Sequence, residues 1–287
     1  MIIVRVYGGL GNQLFQYAIG KKFSIKQQKV LKLDIYDFDK YKLRNFELFK
    51  FKINCDIANK KEIAKYRIEN KILDKICSKL SSFGFRLISE KYYEQNDYVL
   101  DTLLLKNHNI KYLQGYWQSY KYFDDIRDIL SQEFSLKCNL GGKNLEILHM
   151  IQSSNSISIH IRRGDYLKHS IYEKLSINYY LNAVKYINDR VENAVFFVFS
   201  DDLTWVKKNL NLDNAIYVGV NNADSAEYDL ELMKNCQHNI IANSSFSWWA
   251  AWLNSNKNKI VITPNRWVTY IDNLDDLLPS DWIRIDI

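Results

Sequence analysis

Two arginines stand where an apolar run ends, in Ser158-Ile159-His160-Ile161-Arg162-Arg163-Gly164-Asp165. A guanidinium is a planar fork that donates two parallel charge-assisted hydrogen bonds, a shape matched to a phosphate or diphosphate. The end of a buried strand is also a common place for ligand groups in α/β proteins. The competing reading is a surface turn with a local ion pair, which contributes almost nothing to stability. On a strand His160 and Arg162 share one face and Arg163 takes the other. Arg162 is therefore the candidate to clasp a diphosphate, with Arg163 in structural ion pairs. His160 reads either as a satisfied core histidine or as a ligand contact. Asp165 reads as a general base or as the partner that holds an arginine.

Three other stretches carry polar groups to strand ends. Gly8-Gly9-Leu10-Gly11-Asn12-Gln13-Leu14-Phe15-Gln16-Tyr17 follows an apolar run. Its glycines allow a ligand close to the backbone, and the helix start favours negative charge. A dinucleotide fold is the tempting reading, with Asp34 where a ribose-binding acid would stand. Leu14 occupies the place of the third glycine, which counts against it. Asn12 and Gln13 are amides suited to sugar hydroxyls, and Asn12 is equally a helix N-cap. Phe196-Phe197-Val198-Phe199-Ser200-Asp201-Asp202 ends in two acids, one of which is expected to cap the following helix. Ile241-Ala242-Asn243-Ser244-Ser245-Phe246-Ser247-Trp248-Trp249 begins a helix with small hydroxyls, a phosphate cradle of unpaired N–H groups. Trp248 and Trp249 read as helix-packing aromatics. No Gly-x-Ser-x-Gly elbow surrounds the serines, which disfavours a serine hydrolase.

The elements that must position these groups alternate. Strands are predicted over Ile2–Tyr7, Val30–Asp34, Tyr112–Trp117, Ile157–Ile161, Ala194–Ser200, Ala215–Val218, Asn239–Ala242 and Lys259–Thr263. Helices are predicted over Asn12–Phe23, Tyr122–Phe134, Ile177–Arg190, Leu203–Leu210, Ala226–Asn235 and Phe246–Asn254. Such alternation implies doubly wound parallel sheets. The pattern lapses at Cys138–Lys143, so a domain boundary is placed there, between residues 1–143 and 144–287.

Composition narrows the function classes. The chain has 287 residues, 47% hydrophobic and 14% aromatic, enough for full-sized cores and two domains. Its net charge of +6 comes from 39 basic and 33 acidic residues. The basic residues are dispersed and lack the aromatic interleaving of a nucleic-acid groove. A mildly basic surface suits anionic small molecules or a weak hold on an anionic membrane face. Cys55, Cys77, Cys138 and Cys236 lack metal-site spacing and read as buried or partly buried thiols in a reducing compartment. Two neighbouring acids, Asp201 and Asp202, are weak grounds for a metal. With no leader pattern and no long apolar run, the expectation is a soluble cytoplasmic protein.

Taken together, Gly8–Ala18 (GGLGNQLFQYA), Gly115-Tyr116-Trp117-Gln118, His160–Tyr166 (HIRRGDY), Ser200-Asp201-Asp202 and Asn243–Trp249 (NSSFSWW) resemble the α-1,2-fucosyltransferases of glycosyltransferase family 11. Ala250 stands where that family often has glycine. Residues 50 to 100 match nothing in the pattern. The resemblance implies an α/β, GT-B-like fold of two Rossmann-like domains with a cleft between them. It implies an acceptor-side N-terminal domain and a C-terminal domain that binds GDP-β-L-fucose. It also implies inverting transfer to the 2-hydroxyl of a terminal galactose in an oligosaccharide or lipid-linked surface polysaccharide such as an O-antigen. No metal or other cofactor is then expected. Carried over, Arg162 holds the β-phosphate, and His160 with Asp201 or Asp202 contacts guanosine. Asn243, Ser244, Ser245 and Phe246 line the nucleotide. Gly9, Gly11, Asn12 and Gln13 face fucose and acceptor. Arg162, Asn12 and Asp165 are the candidates for catalysis, Asp165 as base. The alternatives are a nicotinamide-dependent oxidoreductase and a nucleotide- or glycan-binding protein without turnover. Association with the inner face of the cell membrane is the other expectation.

Overall fold

A computed structural model describes residues 1–39, 44–66, 92–95, 99–164 and 173–287. Asp165 and Cys77 lie outside the described residues. Contacts divide the chain into two compact units, Met1–Phe134 and Ser135–Ile287.

In the first unit β1 (Ile2–Arg5), α1 (Leu10–Gln27) and β2 (Leu31–Asp34) form the expected βαβ opening. They are followed by β3 (Asp56–Ile57), α2 (Lys60–Ala64), β4 (Tyr92–Glu94), α3 (Thr102–Lys106), β5 (Tyr112–Gln114) and α4 (Arg127–Glu133). The sheet order is β3-β2-β1-β5-β4, every pair parallel. Ile2, Ile3 and Val4 are fully buried, so β1 is covered on both faces as a central parallel strand should be. α1 packs tightly on it: a Cβ on Gly20 would stand 2.5 Å from Val4 Cγ2.

The strand predicted to Trp117 stops at Gln114, because Gly115 (φ +152°) and Trp117 (φ +56°) turn the chain away. The helix predicted over Tyr122–Phe134 is instead two 3₁₀ turns and then α4; Phe123, at φ −143°, interrupts it.

The second unit contains α5 (Gly142–Gln152), β6 (Asn155–Ile161), α6 (Ile177–Asn188), β7 (Ala194–Ser200) and α7 (Leu203–Asn209). It continues with β8 (Ala215–Val218), α8 (Ala226–Asn235), β9 (His238–Ile240), α9 (Ser245–Leu253), β10 (Val261–Pro264) and β11 (Ile283–Ile285). Its all-parallel sheet has the order β11-β10-β9-β6-β7-β8. Strand order therefore reverses between β6 and β9, as it does in the doubly wound nucleotide-binding folds. Ile157, Ile159 and Val198 pack with Tyr179, Ala183 and Ile187 of α6 in one core. Trp248, Trp249 and Trp252 are buried, and Trp248 Nε1 donates to Leu277 O at 2.9 Å, so these rings pack helix and tail as expected. Cys236 is buried and Cys55 partly so, but Cys138 is exposed, contrary to expectation.

Candidate active site

Parallel strands bring their C-terminal ends to one edge, and in the second unit β6, β7 and β9 deliver the polar stretches there. At the reversal point β6 ends in His160 and Ile161 while the chain after β9 leads through Asn243 into α9. His160 is 5% exposed, and its ring lies 5.5 Å from that of Phe246 at the start of α9. Burial, then the nearby Arg162 charge, holds the imidazole down to about 3. His160 is thus neutral at working pH. Its buried Nδ1 has no partner among the described residues, and a buried nitrogen of this kind is normally matched by a hydrogen-bonding group.

Asp201, at the end of β7, organises the arginine turn. Its Oδ1 accepts from Arg163 N at 2.9 Å, and its Oδ2 accepts from Gly164 N at 3.0 Å. The same Oδ2 pairs with Arg162 Nη1 at 3.1 Å. A Cβ on Gly164 would stand 2.8 Å from Asp201 Oδ2, which explains the glycine. Asp202 is the helix cap: its Oδ1 accepts from Trp205 N at 3.1 Å. Arg163 lies over the Trp205 ring, 3.4 Å from its centroid, and 3.7 Å from Asp202 Oδ2. This stacked, ion-paired seat is a packing role, as its opposite face predicts. Both acids are thus engaged inside the protein.

Asn243 is almost fully buried, and its Nδ2 donates to Glu173 O at 2.8 Å and Trp267 O at 2.9 Å. Its amide hydrogens hold three loops together. Ser244 caps α9, accepting from Phe246 N at 3.4 Å. Ser245 opens the helix beside it, so the start of α9, with Phe246 against His160, stands at the reversal point.

The first unit repeats the plan with different chemistry. Its strand order reverses between β1 and β5, where the Gly8–Asn12 turn meets Gly115–Gln118. Gly8, at φ +81°, makes the turn, and Gly9 rather than Asn12 is the N-cap. Asn12, partly exposed, accepts on Oδ1 from Gln118 Nε2 at 2.8 Å, a bond that spans the reversal. The expectation for Gln13 needs correction. It is fully buried, donates to Gly8 O (2.9 Å) and Asn45 O (2.8 Å), and accepts from Glu47 N (2.9 Å). Every one of these partners is backbone, so Gln13 locks loops and does not face sugars. Gly11 is likewise buried in the first turn of α1. Gln16 bridges Tyr7 N (3.0 Å) and Gly115 O (3.3 Å). Asp34, the acid a dinucleotide fold would use, is 1% exposed and accepts from Tyr112 OH at 2.6 Å and Tyr36 N at 3.2 Å. That engagement disfavours a nicotinamide site.

Gln118 and Trp205 have roles that residue type alone did not reveal. Gln118 lies within Gly115-Tyr116-Trp117-Gln118, where its amide is the available signal; Trp205 offers none beyond being an aromatic in the first turn of a helix. Among the described residues no three His, Cys, Asp or Glu side chains converge as a metal site.

The sequence is 34% identical to an α-1,2-colitosyltransferase of Escherichia coli, covering 100% of this chain and 99% of that protein. It is also 34% identical to the O-antigen biosynthesis glycosyltransferase WbnK of Escherichia coli, covering 97% and 98%. The crystal structure of the fucosyltransferase NodZ from Bradyrhizobium superposes with a TM-score of 0.50 at 13% identity, over 87% of this chain and 91% of that one. That likeness carries the fold, a GT-B-like pair of parallel-sheet units. The Glycosyl transferase family 11 model matches residues 1–286, and the chain belongs to that family.

Proposed function

We propose that this protein is an inverting galactoside α-1,2-fucosyltransferase that uses GDP-β-L-fucose and builds a bacterial surface glycan such as an O-antigen. One observation carries the reading. The reversal point of the second sheet gathers a guanidinium, a neutral histidine with an unmatched Nδ1, and a helix start. That set suits a nucleoside diphosphate.

In the reaction the galactose 2-hydroxyl oxygen bonds to fucose C1 while the bond from C1 to the β-phosphate oxygen breaks. GDP leaves with the electron pair, and the hydroxyl proton passes to a base. Charge grows on the departing phosphate, and Arg162 with the first amides of α9 is proposed to offset it. Groups preorganised in this way stabilise the transition state more than the ground state. This proposal therefore assigns no role to a metal. Asp165 is the proposed base. Asn12, steadied by Gln118, is the proposed sugar contact of the first unit.

The similarity to a colitosyltransferase favours a second donor. Colitose is fucose without its 3-hydroxyl. A site that hydrogen-bonds a hydroxyl rejects the analogue lacking it by about 10⁴-fold or more, whereas an apolar pocket discriminates weakly. The test offers GDP-fucose and GDP-colitose, with and without chelator, to galactose-terminated acceptors, followed by linkage analysis. Faster chelator-insensitive transfer of fucose to O2 of galactose is the expected result. Preference for GDP-colitose would establish the second donor. Binding of GDP without transfer would make the protein a binder.

Among the described residues no helix is long and apolar enough to cross a membrane. The proposed location is cytoplasmic or peripheral at the inner membrane face, where a lipid-linked acceptor is presented.

A further inference from the structure

We infer that the N-terminal edge of the first unit's sheet docks on an anionic lipid bilayer. The five strands run parallel, so their N-terminal ends share one edge, opposite the Gly8–Asn12 turn. At that edge Ile2 N donates to Val30 O and Ile3 N to Lys111 O, both at 2.8 Å. These bonds set Lys29 and Val30 on one side of β1 and Lys111 on the other. The nearby Lys29, ahead of burial, holds the Lys111 ammonium below the usual lysine value. Among the described residues neither has a carboxylate partner; the Lys29 ammonium donates to Gln27 Oε1 at 3.0 Å. Lys32, beside them, is already matched by Glu62 at 2.7 Å. Two neighbouring cations without a carboxylate partner among the described residues favour an anion.

The apolar side of the surface decides which anion. Lys26 Nζ donates to Leu105 O and holds α3 against the end of α1. Around this junction Ile25, Val30 and Leu103 are 40%, 58% and 73% exposed, and Lys106 is exposed with them. Aliphatic side chains interleaved with lysines match the bilayer interface, where alkyl groups enter the headgroup boundary and ammonium groups meet phosphates. A nucleic-acid surface would instead offer aromatic rings for stacking. Along α1, which runs from Leu10 to Gln27, Asn12 then lies about 20 Å from Ile25 at the proposed lipid face. The inference stands independently of which sugar is transferred.

The test uses the full chain and two sets of vesicles, one of pure phosphatidylcholine and one with about one-third phosphatidylglycerol. Expected is co-sedimentation with the anionic vesicles alone, weakened by high salt. Lys29→Gln/Lys111→Gln should weaken it about thirtyfold, at the per-lysine strength of surface attraction. Val30→Ser/Leu103→Ser should weaken it at least roughly tenfold through lost apolar burial. Both variants should keep wild-type turnover on a soluble galactoside. Equal binding to both vesicle types, no binding to either, or wild-type binding by the lysine variant would overturn the inference. Retention on heparin without vesicle binding would assign the edge to a soluble polyanion and overturn it as well.

Discussion

Arg162 and Asp201 show how a single carboxylate can define a turn. Three donors converge on Asp201, and one of them is the guanidinium proposed to meet the leaving phosphate. Arg162→Ala is expected to lower kcat by at least about a hundredfold, the scale for losing one preorganised donor. Arg162→Lys should recover little, because an ammonium lacks the fork. Steady-state kinetics with GDP release as the readout decides it, and near-normal transfer by the alanine variant would remove Arg162 from the mechanism. His160 yields a prediction of different kind. Its folded value is held down to about 3 by burial and then by the Arg162 charge, while an unfolded histidine titrates near 6.5. Between those values the unfolded chain binds a proton that the folded chain refuses. Stability therefore falls as pH falls through this window, by up to about 1.4 kcal/mol per unit. Asp229 acts in the opposite sense, since burial raises its carboxyl to about 6 and the stability it confers is lost as pH rises through that value. Urea midpoints of wild type and His160→Gln across this range separate the two. The variant should lose less stability on acidification, and parallel curves would mean that His160 titrates normally.

At the scale of elements, α1 does more structural work than its motif suggests. Gln13 and Gln16 tie it to the Asn45–Glu47 segment and to the ends of β1 and β5. Gln13→Leu keeps helix propensity and bulk but strips one hydrogen bond each from Gly8 O, Asn45 O and Glu47 N. At about 1–3 kcal/mol for each buried group left unmatched, a loss of roughly 3 kcal/mol or more is expected. A melting temperature within a degree of wild type would refute the locking role. Residue type made these amides visible in the sequence, but not their direction; a glutamine four residues into a helix points back at the loop or out at a ligand with the same pattern. The apolar runs were far more legible. β7, β8 and α8 coincide with the predicted spans because each is bounded by turn residues, and β7 reads as a continuous apolar run because it is buried on both faces. α5 was missed because it begins at Gly142 and buries only Ile147 and Ile151. β3 and β11 are two- and three-residue edge strands, too short to show alternation.

At the scale of the whole molecule, His160, Arg162, Asp201 and Ser244 all belong to the unit Ser135–Ile287. A ligand that binds only the folded form stabilises it by mass action, about 2.7 kcal/mol at a hundred times its dissociation constant. If the proposed donor site is right, GDP acts on this unit. For a body of this size that free energy corresponds to a rise in its melting temperature of about 5–10 °C. The distribution of tryptophans makes the unit observable by itself. Trp205, Trp248, Trp249, Trp252, Trp267 and Trp282 lie in it, and Trp117 is the single tryptophan of Met1–Phe134. Trp248, Trp249 and Trp252 sit on α9, the helix whose first turn faces His160. Fluorescence-detected melting therefore follows the unit Ser135–Ile287, while far-ultraviolet circular dichroism follows both. Chains with two units need not unfold in one step. The expected outcome is a fluorescence transition that moves upward with GDP and remains in place for Arg162→Ala at the same nucleotide concentration. A fluorescence transition that GDP leaves unmoved, with wild-type protein and saturating nucleotide, would place the nucleotide elsewhere and dissolve the proposed role of the β6–β9 reversal.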